Sequence, residues 1–232
     1  MNDRIHGQAC ERGISRLCHF TPSRNLIHIA RDPAGLLATR HLREEELALF
    51  NPTDIQRVDG FLDYVCCSIQ YPNAWYFRKA REQEPLFEDW AVLLISPDYL
   101  WKPGTKFCPR NAAALGGQGV SDGIAGFNAL FAPSVEGSQG RIFQRGQKPD
   151  CVPTDDQAEV LIPDQVDRRD IQAVVVRDIK QAKREHFRLH CVGTQVPIRI
   201  AAQFFNPREL SRILSKGRFP IETEYEAGSK HA

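Results

Sequence analysis

The run WAVLLIS, Trp90 to Ser96, puts six apolar side chains in succession and halts at Pro97. A strand with no polar face has no side to turn to water, so this segment must lie buried within a sheet, and a proline that cannot donate to a ladder ends it. The sheet needs partners. DYVCCSIQY (Asp63 to Tyr71), QAEVLIP (Gln157 to Pro163), IQAVVVRD (Ile171 to Asp178) and PIRIAAQFF (Pro197 to Phe205) carry the β-branched and apolar content of further strands. Helical patterns are predicted over REEELALF (Arg43 to Phe50), PNAWYFRKAREQE, opened by Pro72, IKQAKREHF from Ile179 and PRELSRILSKG from Pro207. Helices concentrate early and strands late, which predicts an α+β chain instead of regular βαβ winding.

With 232 residues, 42% of them apolar and 25% charged, the chain is large enough for one well-cored domain over 1–232. A formal net charge of +1 gives no bulk attraction to nucleic acid or membrane, so any such partner must be met by a local patch. Seven scattered cysteines without a C-x-x-C pair suggest a reducing, cytoplasmic setting. No apolar leader or stretch of about 18 apolar residues is present to suggest secretion or a membrane span.

The stretch RLCHFTPSRNLIHI, Arg16 to Ile29, reads as a strand running into a helix. His19 and Thr21 share a strand face. Thr21 is predicted to cap the helix with Pro22 in its first turn, and Asn25 follows within the first turns. Three polar groups at one junction either grip a polar ligand or serve as a cap and a satisfied histidine. Near the other end, Glu159 enters a strongly apolar strand with Gln157 on the same face. A carboxylate there is paired, functional, or at a solvated edge. Arg57 stands in a loop ahead of the strand that begins DYV.

Other patterns carry less. GGQG at 116–119 follows NAAAL instead of a strand and lacks the Lys-Ser/Thr pair of a phosphate-binding loop, so the Gly-rich region 114–149 is read as irregular loop. His186 and His190 in HFRLHC would lie roughly 13 Å apart on a strand at about 3.3 Å per residue, too far for one metal ion. They could share one only on a helix, and no metal is expected. Cys66 and Cys67 read as small core residues. The run Lys180, Lys183, Arg184, Arg188 reads as a solvated face.

In their order, His19-x-Thr21 with Asn25 four residues on, Arg57 before Asp63-Tyr64-Val65, and Gln157-Ala158-Glu159 leading an apolar strand resemble the DarT family of DNA ADP-ribosyltransferases, toxins of toxin–antitoxin systems. The likeness spans roughly 16–178. It departs after DYV, where CCSIQYPNAWYF replaces a more aromatic, proline-containing segment. The resemblance implies an ADP-ribosyltransferase-like split mixed β-sheet with flanking helices, with a core over 14–205 and an acceptor-recognition region over 114–156. It implies NAD as co-substrate, single-stranded DNA as acceptor and a cognate antitoxin with ADP-ribosyl hydrolase activity as partner. Glu159 and Arg57 would be catalytic, the first facing the ribose cation and the second also helping to activate the acceptor base. His19, Thr21, Asn25 and Gln157 would bind NAD. Arg141, Arg145 and Lys148, in the segment leading to Glu159, would hold phosphates of the strand. RNA or protein as acceptor, or a non-catalytic nucleotide-binding module of the same fold, remain as alternatives.

Overall fold

The computed structural model describes residues 3–42, 60–137 and 140–227, apart from the side chains of Ala114 and Leu115. The helix expected over Arg43 to Phe50 and the candidate Arg57 lie outside the described residues. In chain order the elements are α1 (Asp3–Glu11), β1 (Leu17–Pro22), α2 (Leu26–Arg31), β2 (Leu36–Leu37), β3 (Tyr64–Ile69), α3 (Ala74–Gln83), β4 (Trp90–Ile95), β5 (Lys106–Cys108), β6 (Ser121–Asp122), α4 (Gly123–Ala129), β7 (Ser134–Glu136), β8 (Ile142–Gln144), β9 (Glu159–Pro163), β10 (Gln165–Val166), β11 (Ile171–Val176), α5 (Ile179–Cys191), β12 (Ile198–Ile200), α6 (Pro207–Leu214) and β13 (Thr223–Glu224).

Nine strands form one mixed sheet in the order β13-β12-β11-β4-β1-β3-β9-β5-β6. Every residue of β4 is buried, as its lack of a polar face demands. β4 pairs antiparallel with β1 on one side and with β11 on the other, and β11 pairs parallel with β12. Three strands at the middle of the sheet, β1, β3 and β4, therefore come from the first half of the chain. That corrects the expected split into early helices and late strands. Each of the three lies in a segment whose apolar run reads as a strand, so the elements agree and only their weighting along the chain differs.

The feature that shapes the site is a divergence. β1 is bonded to β4 over six consecutive pairs, from Leu17↔Ile95 to Pro22↔Trp90, but to β3 over only Leu17↔Ile69 and Cys18↔Ser68. Beyond Cys18 the two strands part, and the sheet opens between them. β3 continues into β9 through four pairs, Tyr64↔Pro163 to Cys67↔Val160, and β9 into β5 through Cys108↔Glu159.

Helix ends follow their sequence signals, with shifts. Asp178 caps α5 by accepting from the Gln181 N–H at 2.9 Å, and Asn206 caps α6, with Pro207 in its first turn, by accepting from the Glu209 N–H at 3.2 Å. For α3 the cap is Asn73, whose Oδ1 accepts from the Tyr76 N–H at 3.0 Å, so the helix starts two residues after Pro72. PIRIAAQFF gives only the three residues of β12 before a 3₁₀ turn over Ala202–Phe205. HFRLHC is helical, within α5, and the His186 and His190 rings stack 6.4 Å apart. Among the described residues no group of three or more His, Cys, Asp or Glu side chains could hold a metal ion. Arg184 and Arg188 of the basic run pair with Asp89 and Glu185. The region expected to be irregular over 114–149 contains α4 and a β7–β8 hairpin; its many glycines mark the turns between short elements.

Candidate active site

The opening between β1 and β3 is a cavity of about 560 Å³. His19, Thr21 and Asn25 line it from β1 and the turn that follows, and Glu159 lines it from the start of β9. Residues 140 positions apart in sequence thus share one wall system because β3 parts from β1 while staying bonded to β9. Each is held. The His19 Nδ1–H donates to the Cys66 carbonyl at 2.8 Å, which fixes the orientation of the ring. Asn25 Nδ2 donates to Thr21 Oγ1 at 2.9 Å, locking two buried polar side chains together across four residues.

That bond replaces the cap expected at this junction. Pro22 closes β1, and a 3₁₀ turn over Ser23–Asn25 intervenes before α2, without a side-chain cap from Thr21. The β1–β4 ladder extends the strand through Pro22↔Trp90, so the helix starts later than the proline suggests. Thr21 is thereby turned to its neighbour Asn25 and to the cavity.

Glu159 is buried at 8% exposure, and each of its oxygens accepts a hydrogen bond. Asn111 Nδ2 donates to Oε1 at 3.0 Å and the Ala112 N–H to Oε2 at 3.1 Å. A buried carboxylate is tolerated when its oxygens are met in this way. Gln157, expected to orient Glu159, precedes β9 in a turn where its N–H donates to Asp155 Oδ1 at 2.9 Å; it is not among the residues lining the cavity. The period-of-two argument fails there because β9 begins only at Glu159. Little in the sequence singles out Asn111. Its local sign is that of an asparagine capping the 3₁₀ turn Ala112–Leu115, where it accepts from the Ala113 N–H at 3.0 Å.

The rest of the wall is closely built. Gly35 lies at φ +72 against β10, where a Cβ would come within 2.3 Å of the Val166 carbonyl oxygen, so this lining position takes only glycine. Arg31 and Asp32 line it at the end of α2, and Asn73 and Tyr76 line it from the cap and first turn of α3. Two thiols near the site, Cys18 and Cys108, are poor nucleophiles: burial pushes Cys18 up to about 12 and Cys108 up to about 11.

The segment 140–156 behaves differently. Arg145 donates to the carbonyls of Val152 and Pro149 at 2.9 and 3.0 Å, and Lys148 donates to the Thr154 carbonyl at 2.8 Å and pairs with Asp156. Their donors are taken up by the loop itself, which corrects the picture of three basic side chains equally presented to a phosphate strand. Arg141, on the β7–β8 hairpin, is exposed. Arg110, next to Asn111, donates to the Glu136 carbonyl at 3.0 Å and so ties the same hairpin to the segment that holds Glu159.

A family model described as DarT, ssDNA thymidine ADP-ribosyltransferase, matches residues 18–206, from β1 through the 3₁₀ turn after β12. The chain belongs to the DarT family. Among curated proteins no sequence matches it. Solved DarT structures share the fold at low identity. Thermus sp. 2.9 DarT in complex with carba-NAD+ is 15% identical with a TM-score of 0.54, covering 82% of this chain and 97% of that one. The same DarT in complex with ADP-ribosylated ssDNA is 14% identical with a TM-score of 0.51, covering 83% and 97%. Thermosipho africanus DarTG in complex with ADP-ribose is 15% identical with a TM-score of 0.53; 82% of this chain is covered but it spans only about half, 51%, of that chain. The DarT fold expected from the sequence is therefore the fold observed, with the split in its mixed sheet located between β1 and β3.

Proposed function

We infer that this chain transfers ADP-ribose from NAD to a thymine base of single-stranded DNA. The observation that carries the reading is the convergence of His19, Thr21, Asn25 and Glu159 on one cavity. In the reaction the bond from nicotinamide nitrogen to ribose C1′ breaks, nicotinamide leaves as a neutral molecule, and C1′ bonds to a ring nitrogen of the base, which gives up its proton. Positive charge builds on the ribose as the bond lengthens, and a carboxylate already oriented beside it stabilises that charge without reorganising. Glu159 takes this role. His19, Thr21 and Asn25 bind NAD, holding it on rigid elements as orientation requires. Arg57 supports NAD binding and the loss of the base proton through its permanent charge. Gln157 is left with a part in shaping the turn that leads into β9.

Arg141 and Arg110 are the basic side chains proposed to meet the DNA backbone, since the hairpin that carries one is tied to the other. A toxin role, with an antitoxin that removes the modification, follows from family membership and from the DarTG relative, and is tested by whether co-expressed ADP-ribosyl hydrolase relieves growth arrest. The seven free thiols suit a reducing cytoplasm, and among the described residues no helix is long and apolar enough to cross a membrane.

Labelled NAD incubated with oligo(dT), an oligonucleotide lacking thymine, duplex DNA, RNA and protein tests the whole reading. Label is expected on oligo(dT). Label on RNA or protein alone replaces the acceptor, and no transfer to any pool by folded protein removes the activity. Glu159→Gln keeps the shape and both amide contacts can rearrange around it, so transfer is expected to drop by about a hundredfold or more while NAD still raises the melting temperature.

A further inference from the structure

We propose that Asn111 is a positioning residue for Glu159, acting with the Ala112 N–H as a two-point clamp that sets the plane of the carboxylate. The inference rests on the reading of Glu159 as the group facing the ribose. A glutamate's terminal torsion is broad and nearly two-fold, so a carboxylate at the end of three rotatable bonds does not by itself present a defined edge to a substrate. Here one donor meets each oxygen, Asn111 Nδ2 at 3.0 Å and Ala112 N–H at 3.1 Å. Two bonds on two atoms define a plane.

The amide of Asn111 has only one workable orientation. Its Oδ1 accepts from the Ala113 N–H at 3.0 Å, capping the turn over Ala112–Leu115, so Nδ2 is the end that faces Glu159. An aspartate or serine would cap such a turn as well as an asparagine does. Neither can donate to a carboxylate through the same geometry, an aspartate because both its oxygens are acceptors and a serine because it is too short. The turn accepts several residue types; the contact to Glu159 selects asparagine. The clamp is also well anchored, because Cys108, three residues earlier, pairs with Glu159 itself in the β5–β9 ladder and Ala112 is buried at 1% exposure. The donor thus caps the turn that follows the strand paired to Glu159, three residues from the ladder.

The test compares Asn111→Asp, Asn111→Ser and Asn111→Ala with the unchanged protein, measuring kcat, KM for NAD, transfer to oligo(dT) across pH, and melting temperature. Asn111→Asp keeps the cap and puts a second carboxylate against Glu159, and like charges sharing a site hold on to a proton. Among the described residues, Cys108 pairs with Glu159 in the ladder and stays a thiol, its own surroundings including Arg110 and Asp155, and His19 lines the same cavity; none changes in the variant. The expected result is a kcat lower by about tenfold or more with KM for NAD within about threefold, and an acidic limb of the kcat profile displaced to higher pH. Asn111→Ser keeps the cap and is expected to lose kcat by a similar factor with no displacement of the limb; it carries the test if the aspartate variant does not fold. Asn111→Ala loses cap and clamp, so it is expected to lower both the melting temperature and kcat. Wild-type kcat in Asn111→Ser, or a kcat loss in Asn111→Asp with the limb unmoved, overturns the proposal. Absence of transfer by the unchanged protein would instead sink the reading of the site.

Discussion

Two polar regions of this molecule differ in what they do with their hydrogen bonds. Around the opening between β1 and β3, the side chains pin one another, His19 to the Cys66 carbonyl, Asn25 to Thr21 and Asn111 to Glu159, and remain at the wall of a cavity. In the segment 145–156 the two basic groups turn inward. Arg145 and Lys148 satisfy the carbonyls of their own loop, and Asp156 in turn accepts from Ser211 of α6 at 2.5 Å. The contrast shows why a basic residue near a site is not thereby a ligand-binding residue. A loop without a ladder must satisfy its carbonyls somehow, and long cationic side chains are the nearest donors.

The strongest way to break this comparison is Lys148→Met. If the lysine is structural, removing it takes from Asp156 its charged partner, in a pair with side-chain exposures of 9% and 20%, and leaves only the Ser211 hydroxyl, at a cost of about 2 kcal/mol. Urea denaturation should show that loss, while KM for oligo(dT) stays within about twofold. A large rise in KM with unchanged stability would return Lys148 to the DNA track. At the cavity, His19→Ala removes the donor to the Cys66 carbonyl and a wall of the site, and KM for NAD is expected to rise about tenfold, the worth of one good hydrogen bond. Equal KM values in variant and parent would put His19 among merely structural groups. Arg141→Ala should have a smaller effect: KM for oligo(dT) up about two- to threefold, with the slope of log K against log salt shallower by about 0.7, as the removal of a single phosphate-neutralising charge requires on a single strand. A slope identical to the parent's removes Arg141 from the interface.

The smallest effect sharpens the comparison with a buried carboxylate held mainly by a charge. Glu185 on α5 is 1% exposed with Arg188 one turn away, and burial raises its pKa despite that arginine. Its folded pKa lies above the unfolded one, so within that window the native state binds more protons. Stability therefore falls as pH rises from the ordinary carboxylate range through the raised value. Glu185→Gln should abolish this decline and leave stability at neutral pH within about 1 kcal/mol of the parent. Parallel stability–pH curves for the two proteins would contradict it.

Much of the frame was legible in the sequence because it depends on local chemistry. The apolar run Trp90 to Ser96 had to be a strand buried on both faces, and it is β4. The pairing of His19 with Thr21 on one face is a property of a period of two, the entry of Glu159 into an apolar strand is plain from the run that follows it, and all three residues line the cavity. Local chemistry also misled where neighbours intervened: the ladder to β4 drew Pro22 into β1, and the turn before β9 took Gln157 off the face that strand alternation predicts for it. What the tertiary structure alone decided are contacts between distant segments. Sequence does not say that β1 leaves β3 after Cys18 and so opens a cavity, that Asn111 meets Glu159 across 48 residues, or that Arg16 finds Glu222 across 206 and closes the end of the chain onto the entrance of β1. Periodicity tells which way a side chain points from its own backbone; which donor it meets depends on how strands are ordered and where their ladders stop, and that is settled by the packing of the whole core.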